Sequence, residues 1–329
     1  MTKERLTVLV TSVGSTTALS VIKGLRKDRR RSYRVIGTDA SELALAGGAL
    51  CDVFCHLPHG RTGWYIGALR EILEREQVDV FIPIIDCEIE LIAKQRGALG
   101  AVGQRALLAP YAAVKTCNDK ERLYTALSDR PEFGAPRMYD AGGDDSAGAL
   151  PFPLFMKPRR GISSVDCFKI NDAPELEVLG ARVEHPVVCD FLPGDQYVID
   201  TLSDGAGHCL ASVPRREFEA KAGVGVKAQI SMDEALVEYG RRLVEALGIV
   251  GPACIEVMKH GDRIGLIEVN PRVSACLVVT IEAGVNIPAL IVDLVLGRRI
   301  HGRRLRVERP TLYMTRYWNE VYFERAERE

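Results

Sequence analysis

The segment IEVMKHGDRIGLIEVNPR brings together side chains that can hold a metal ion and a phosphate. It reads as two strands joined by a His-Gly-Asp turn, so Glu256 on one strand and Glu268 on the other can face the same side. Asn270 shares the face of Glu268 by the two-residue period of a strand. Two carboxylates and an amide oxygen form an oxygen-only site suited to magnesium, with manganese as an alternative, completed by nucleotide phosphate oxygens. Arg272 adds a cation to the same face, where it can neutralise a phosphate. A surface hairpin with solvated charges fits poorly, because these charges are embedded in Ile, Val, Met and Leu and do not alternate in sign.

A second chemical signal is Lys157 inside PLFMKP. Burying an ammonium in an apolar strand costs several kcal/mol unless an anion accompanies it. Nucleotide phosphates would supply one; a lysine reaching back to the surface is the bland alternative. The nine cysteines form no C-x-x-C pair, and several sit in apolar runs such as VVCDF and PACIEV. Buried reduced thiols are the simplest account, and no Ser, Cys or His triad is evident.

The elements that must position these groups fall into two patterns. Over the first hundred residues strand and helix alternate: LTVLVTSV, then TTALSVIKGLRKD, then RVIGTDA ending at Asp39, a helix over about 64–76, the buried strand VDVFIPII, and a helix over about 89–96. This alternation gives a parallel sheet covered on both faces. The turn VGSTTA carries one glycine where a dinucleotide fingerprint needs three, so NAD or FAD is not expected. After ALLAP, TCNDKERLYTALSD reads as one helix capped by Thr116 or Asn118. AGGDDSAGALPFP reads as a loop, and PLFMKP and VDCFKI as a hairpin closed by RRGIS. HPVVCDFLPGDQYVIDTLSDG follows as strand, turn and strand, then DEALVEYGRRLVEALGI as an amphipathic helix before the Glu256–Glu268 hairpin. Domains are expected at 1–110, 111–187 and 188–329.

Lys and Arg number 43 and Asp and Glu 44, so no overall basic field calls for nucleic acid or a membrane surface. Arginine clusters at 29–31 and 298–309 read as solvated helix ends or loops. Lys3 and Arg5 before an apolar run imitate an export signal, but the run breaks at Gly14 and resumes with helical spacing. A cytoplasmic protein is expected, and apolar surfaces in the first domain leave a homodimer open.

At the E-V-N-P-R ending and its partner strand the chain resembles the ATP-grasp superfamily, in the branch of carbamoyl-phosphate synthase large subunit, biotin carboxylase and stand-alone amine ligases. The resemblance implies an α/β, Rossmann-like preATP-grasp domain followed by an α+β two-lobed domain that clasps ATP. It implies magnesium on Glu256, Glu268 and Asn270, and Arg272 on the transferred phosphate or acyl phosphate. Lys120 in the N-D-K sequence and Lys157 would reach ATP phosphates. Gly161, Ser163 and Ser164, in a loop shorter than relatives carry, would offer further donors. Asp190 and the backbone of Phe191 and Leu192 would meet adenine, and Gln196 the ribose; the family usually has glutamate at both side-chain positions. Arg215 or Arg216 would face a substrate carboxylate or the acyl phosphate, with solvation as the alternative for one of them. Asp86 and Glu88 would recognise an amino group, although a helix-opening role suits Glu88 equally well. A mobile loop around 221–226 would close over the site.

The activity implied is a carboxylate–amine ligase that passes through an acyl phosphate, with small carboxylate and amine substrates. Its rivals are an enzyme phosphorylating an acid, bicarbonate or carbamate, and a non-catalytic nucleotide-binding protein. The chain is too short to hold both halves of a carbamoyl-phosphate synthase.

Overall fold

RLTVLV is almost continuously apolar because it runs inside a sheet covered on both faces, as β1 (Arg5–Val10). The computed structural model describes residues 4–41, 46–140, 150–161, 164–317 and 319–322; Ser163 lies outside the described residues. β1 is flanked by β2 (Ser32–Asp39) and β4 (Val80–Ile82), with β3 (Val53–His56) beyond β2, all parallel. The helices between and after these strands are α1 (Thr16–Lys27), α2 (Ala46–Ala49), α3 (Tyr65–Arg75) and α4 (Asp86–Lys94). Ser15 caps α1, and Asp39 at the end of β2 accepts a bond of 2.9 Å from the Gly14 amide. The loop after β3 crosses the carboxyl edge of the sheet to reach α4. There Gly60 lies so close that a Cβ on it would stand 3.0 Å from Glu88 Cγ.

The segment expected as one helix is two, α5 (Tyr111–Cys117) and α6 (Lys120–Leu127). Its cap is neither Thr116 nor Asn118 but Asp119, which adopts extended backbone angles and accepts from the Arg122 amide at 3.2 Å. An antiparallel sheet follows, ordered β5 (Met138–Tyr139), β8 (Pro186–Asp190), β6 (Leu154–Pro158) and β7 (Phe168–Ile170), with α7 (Ala173–Gly180) against β7. β6 and β7 form the expected hairpin, but its connection runs from Arg159 to Cys167 and is longer than RRGIS.

The chain then enters a second antiparallel sheet, ordered β13 (Arg263–Asn270), β12 (Gly251–His260), β9 (Asp195–Ser203), β10 (Cys209–Lys221), β11 (Val224–Ile230) and β14 (Tyr313–Thr315). β8 belongs to one sheet and β9 to the other, and the change falls between Asp190 and Asp195 rather than before residue 188. Helix α8 (Glu234–Ala246) packs Leu236, Tyr239 and Leu243 inward, and the Tyr239 hydroxyl donates to the Phe133 carbonyl at 2.8 Å. Helices α9 (Leu277–Glu282) and α10 (Ile287–Val295) return to pack on α1 of the first domain.

Two expectations need correction. The segment 221–226 is not an open loop but the tip of the β10–β11 hairpin, paired up to Lys221 and Val224. Ala222 and Gly223 take φ of 49° and 70°, which makes a two-residue turn of the tight hairpin kind. Nor are the arginine clusters all solvated. Arg31 is buried and bonds to Asp293 of α10, which also receives Arg304; Arg298 pairs with Glu4. These pairs join the first domain to the last helix and the tail.

Candidate active site

The β12–β13 register sets Glu256 directly opposite Glu268 and Cys254 opposite Asn270, with a bulge after Glu256. The Asn270 amide donates to Glu268 at 2.9 Å, and the Gln196 amide donates to Glu256 at 3.2 Å. Burial, then the neighbouring charges of Glu268 and Glu217, pushes the Glu256 carboxyl up to about 8. Burial also opposes ionisation of Glu268, but Lys120, the Asn270 bond and Lys157 outweigh it, and its pKa falls below the ordinary range. Two facing carboxylates in one partly buried place hold a proton between them unless a cation replaces it. The donor set is all oxygen, and on that observation it fits magnesium. Among the described residues no three His, Cys, Asp or Glu side chains converge as a metal cage. Two carboxylates and an amide would leave the other coordination positions to water and nucleotide oxygens.

Two lysines converge here from the preceding lobe. Lys120, in the first turn of α6, stands 3.2 Å from Glu268. Lys157 on β6, only 4% exposed, donates to the Ile267 carbonyl at 3.0 Å and lies over the Tyr124 ring at 5.2 Å. Tyr124 donates to the same carbonyl at 2.6 Å. Burial pushes the Lys157 ammonium down, and among the described residues it has no ion-pair partner. An ammonium held dry with only a carbonyl and ring faces for company is poised for an anion. Arg272 closes the group from the end of β13, its guanidinium 3.0 Å from Asp86 at the start of α4. Glu256, Glu268, Asn270, Lys120, Lys157, Arg272 and Asp86 are thus brought together.

Other expected residues are placed differently. The Asp190 carboxylate accepts from the Arg137 amide at 2.9 Å and the Tyr139 hydroxyl at 2.7 Å, fastening β8 to β5. Phe191 lies under Lys169, with 4.7 Å from ammonium to ring, and Leu192 packs against Gly265. Gln196 is bonded to Glu256, which puts it at the carboxylate pair. Gly161 and Ser164 are exposed in the β6–β7 connection, Ser164 with φ of 56°. Arg215, 1% exposed, bonds to Asp200 at 2.6 Å, Ser274 at 3.2 Å and Glu217 at 3.2 Å, so its guanidinium is fully engaged inside the sheet. Arg216 pairs with Asp195 and covers Phe218. Glu88 is buried beneath the crossing loop and accepts from Thr11 at 2.6 Å, with burial raising its pKa.

The sequence reading passed over Glu217, Asp200 and Tyr124. A signal existed for Glu217: it follows Arg215 by one strand period on β10, which puts both on the same face. Asp200 and Tyr124 carry no such mark, since their partners come from distant segments.

Comparisons with known proteins bear on the fold that positions these residues. Residues 8–107 match the family described as "PylC-like, N-terminal domain", and residues 182–318 match "ATP-grasp in the biosynthetic pathway with Ter operon". The carbamoyl phosphate synthase large chain of Agathobacter rectalis is 27% identical over 300 residues, covering 77% of this chain and 28% of that one. That of Clostridium acetobutylicum is 28% identical over 256 residues, covering 72% and 24%. The chain thus spans about a quarter of the length of these relatives. Among solved structures, N5-carboxyaminoimidazole synthetase from Staphylococcus aureus, complexed with ADP, superposes with a TM-score of 0.71 at 14% identity, covering 92% of this chain and 80% of that one. An L-amino acid ligase from Bacillus licheniformis gives 0.68 at 18%, covering 90% and 75%. At these identities the two structures speak for the fold.

Proposed function

We propose, from the premise that this chain carries an ATP-grasp domain behind a PylC-like N-terminal domain, that it is an ATP-dependent carboxylate–amine ligase acting through an acyl phosphate. The observation that carries the reading is that three cations surround the Glu256–Glu268 pair: Lys120 on Glu268, Lys157 on the neighbouring Ile267 carbonyl, and Arg272 near enough for its charge to act on both glutamates. A carboxylate is a poor electrophile because oxide is a prohibitive leaving group. Attack of its oxygen on the γ-phosphorus, with the bond to the ADP oxygen breaking, gives an acyl phosphate whose leaving group is phosphate. The amine then adds to the carbonyl, loses a proton, and expels phosphate.

The residues present suit the charge problem this creates. Lys120 and Lys157 would take ATP phosphate oxygens, with Lys157 exchanging the Ile267 carbonyl for a charged partner. Arg272 would neutralise the transferring phosphoryl group. Glu256, Glu268 and Asn270 would hold magnesium, which when bound supplies positive charge to the phosphates. Asp190 and Gln196 are engaged with Tyr139 and Glu256, so adenine and ribose would rest mainly on backbone groups of Phe191 and Leu192.

Magnesium affinity, titrated by calorimetry with a non-hydrolysable ATP analogue bound, should be about tenfold weaker at pH 7 than at pH 9. Below about 8 the ion must displace the proton held at Glu256, and above it there is none to displace. An affinity flat across that interval removes Glu256 from the ligand set.

The substrates are found by coupled ADP release with ATP, magnesium, and amino acids and small carboxylic acids offered singly and in pairs. Turnover that needs one acid and one amine together is the expected result. Turnover with an acid alone would replace the ligase by an acyl-phosphate-forming enzyme. Nucleotide binding without turnover on any pair would replace it by a non-catalytic protein.

A further inference from the structure

The loop after β3 and the outer face of α4 border an open surface groove of about 410 Å³ that none of the roles above employs. Arg61 and Lys94 line it, and among the described residues neither has an ion-pair partner. The acidic residue on its wall, Glu90, is already engaged by Arg160 at 3.2 Å. The groove therefore carries two unneutralised cations, with the Tyr111 ring system on one side and Ile66 and Leu91 as apolar surface. Its volume is that of a site for a small organic molecule, and it lies at the carboxyl edge of a parallel sheet, where such sheets receive ligands.

Its position ties it to the cleft. Cys87 on its wall directly follows Asp86, which holds Arg272. Arg160, the partner of Glu90, lies just beyond the strand that carries Lys157. We propose that this groove is an anion subsite, taking a carboxylate or phosphate group of one of the molecules joined at the cleft, remote from the group that reacts. This rests on the ligase reading for the identity of the occupant, and on Arg61 and Lys94 for its charge. Two charge-assisted contacts supply the attraction, and the apolar wall receives the body of the molecule.

The test uses the full chain with the phosphate cluster first saturated by ADP and magnesium. Succinate and inorganic phosphate are then titrated separately by calorimetry onto the wild type and onto an Arg61→Ala/Lys94→Ala variant. One of the two anions should bind the wild type and lose at least tenfold in affinity in the variant, while ADP binds both proteins equally. Which anion binds distinguishes a carboxylated from a phosphorylated occupant. Failure of both anions to bind, or binding unchanged in the variant, overturns the subsite. A wild type that does not bind ADP brings down the ligase reading instead, and the same titration without nucleotide still decides the groove.

Discussion

Replacing Glu268 by glutamine is expected to lower ADP formation by at least about a thousandfold while the fold stays intact. Glutamine keeps the shape and still accepts from Asn270, so β12 and β13 retain their register. What disappears is the negative charge that Lys120 approaches at 3.2 Å and that faces Glu256 across the hairpin. The two losses to stability oppose each other: Lys120 forfeits a partner, while Glu256 is relieved of a like charge. Their balance should stay within about 1 kcal/mol, read as urea midpoint. On the proposed reading the activity would have no such compensation, because a neutral amide would weaken the hold on magnesium and unfix Lys120 together. ADP release within tenfold of wild type would remove Glu268 from the reaction.

The largest stability effect is expected far from the cleft, at Asp293→Ala. Its carboxylate, 1% exposed, receives Arg31 and Arg304, with Arg30 at 3.4 Å. Deleting the shared carboxylate leaves Arg31, whose side chain is 7% exposed, charged and buried with only Glu4 at 3.4 Å and Asp28 at 3.9 Å, and the cost is about 3 kcal/mol. Burial opposes ionisation of Asp293, but hydrogen bonds from Arg31 and Arg304 overcome it and hold the group below the usual carboxylate range. A group depressed in this way stabilises the fold at neutral pH, and that stability is lost as pH falls below about 4. The variant should therefore lose most of its stability deficit relative to wild type in acid. A urea-derived change below about 1 kcal/mol at pH 7 would show that the arginines are solvated after all.

Much of the hairpin was readable because strand period is a local property. Glu268, Asn270 and Arg272 fall at alternate positions, and the His-Gly-Asp turn marks where the chain reverses. Lys157 announced itself by being charged where its neighbours are not. What could not be read depends on partners brought by other segments. Arg31 looks like part of a basic helix end until α10 delivers Asp293 more than two hundred residues later. Gln196 reads as a ribose-binding residue, yet β9 lies beside β12 and turns it to Glu256. Arg215 looked available for substrate because its strand ends in a Gly-rich run. In fact β10 is long, and Arg215 sits where it pairs with β9 on one side and β11 on the other, with α8 packed against the strand. The same glycines misled at 221–226, where Ala222 and Gly223 suffice for a tight turn.

The contact between Asp86 and Arg272 has a thermodynamic corollary. The guanidinium is shared between a helix of the parallel-sheet domain and the end of the β12–β13 hairpin. If a phosphoryl group draws Arg272 toward itself, linkage requires that it weaken the grip of Asp86 by the same factor that Asp86 weakens the grip on phosphate. The two anions are then antagonists competing for a single cation. Seating of the N-terminal domain and departure of inorganic phosphate become one equilibrium viewed from its two ends.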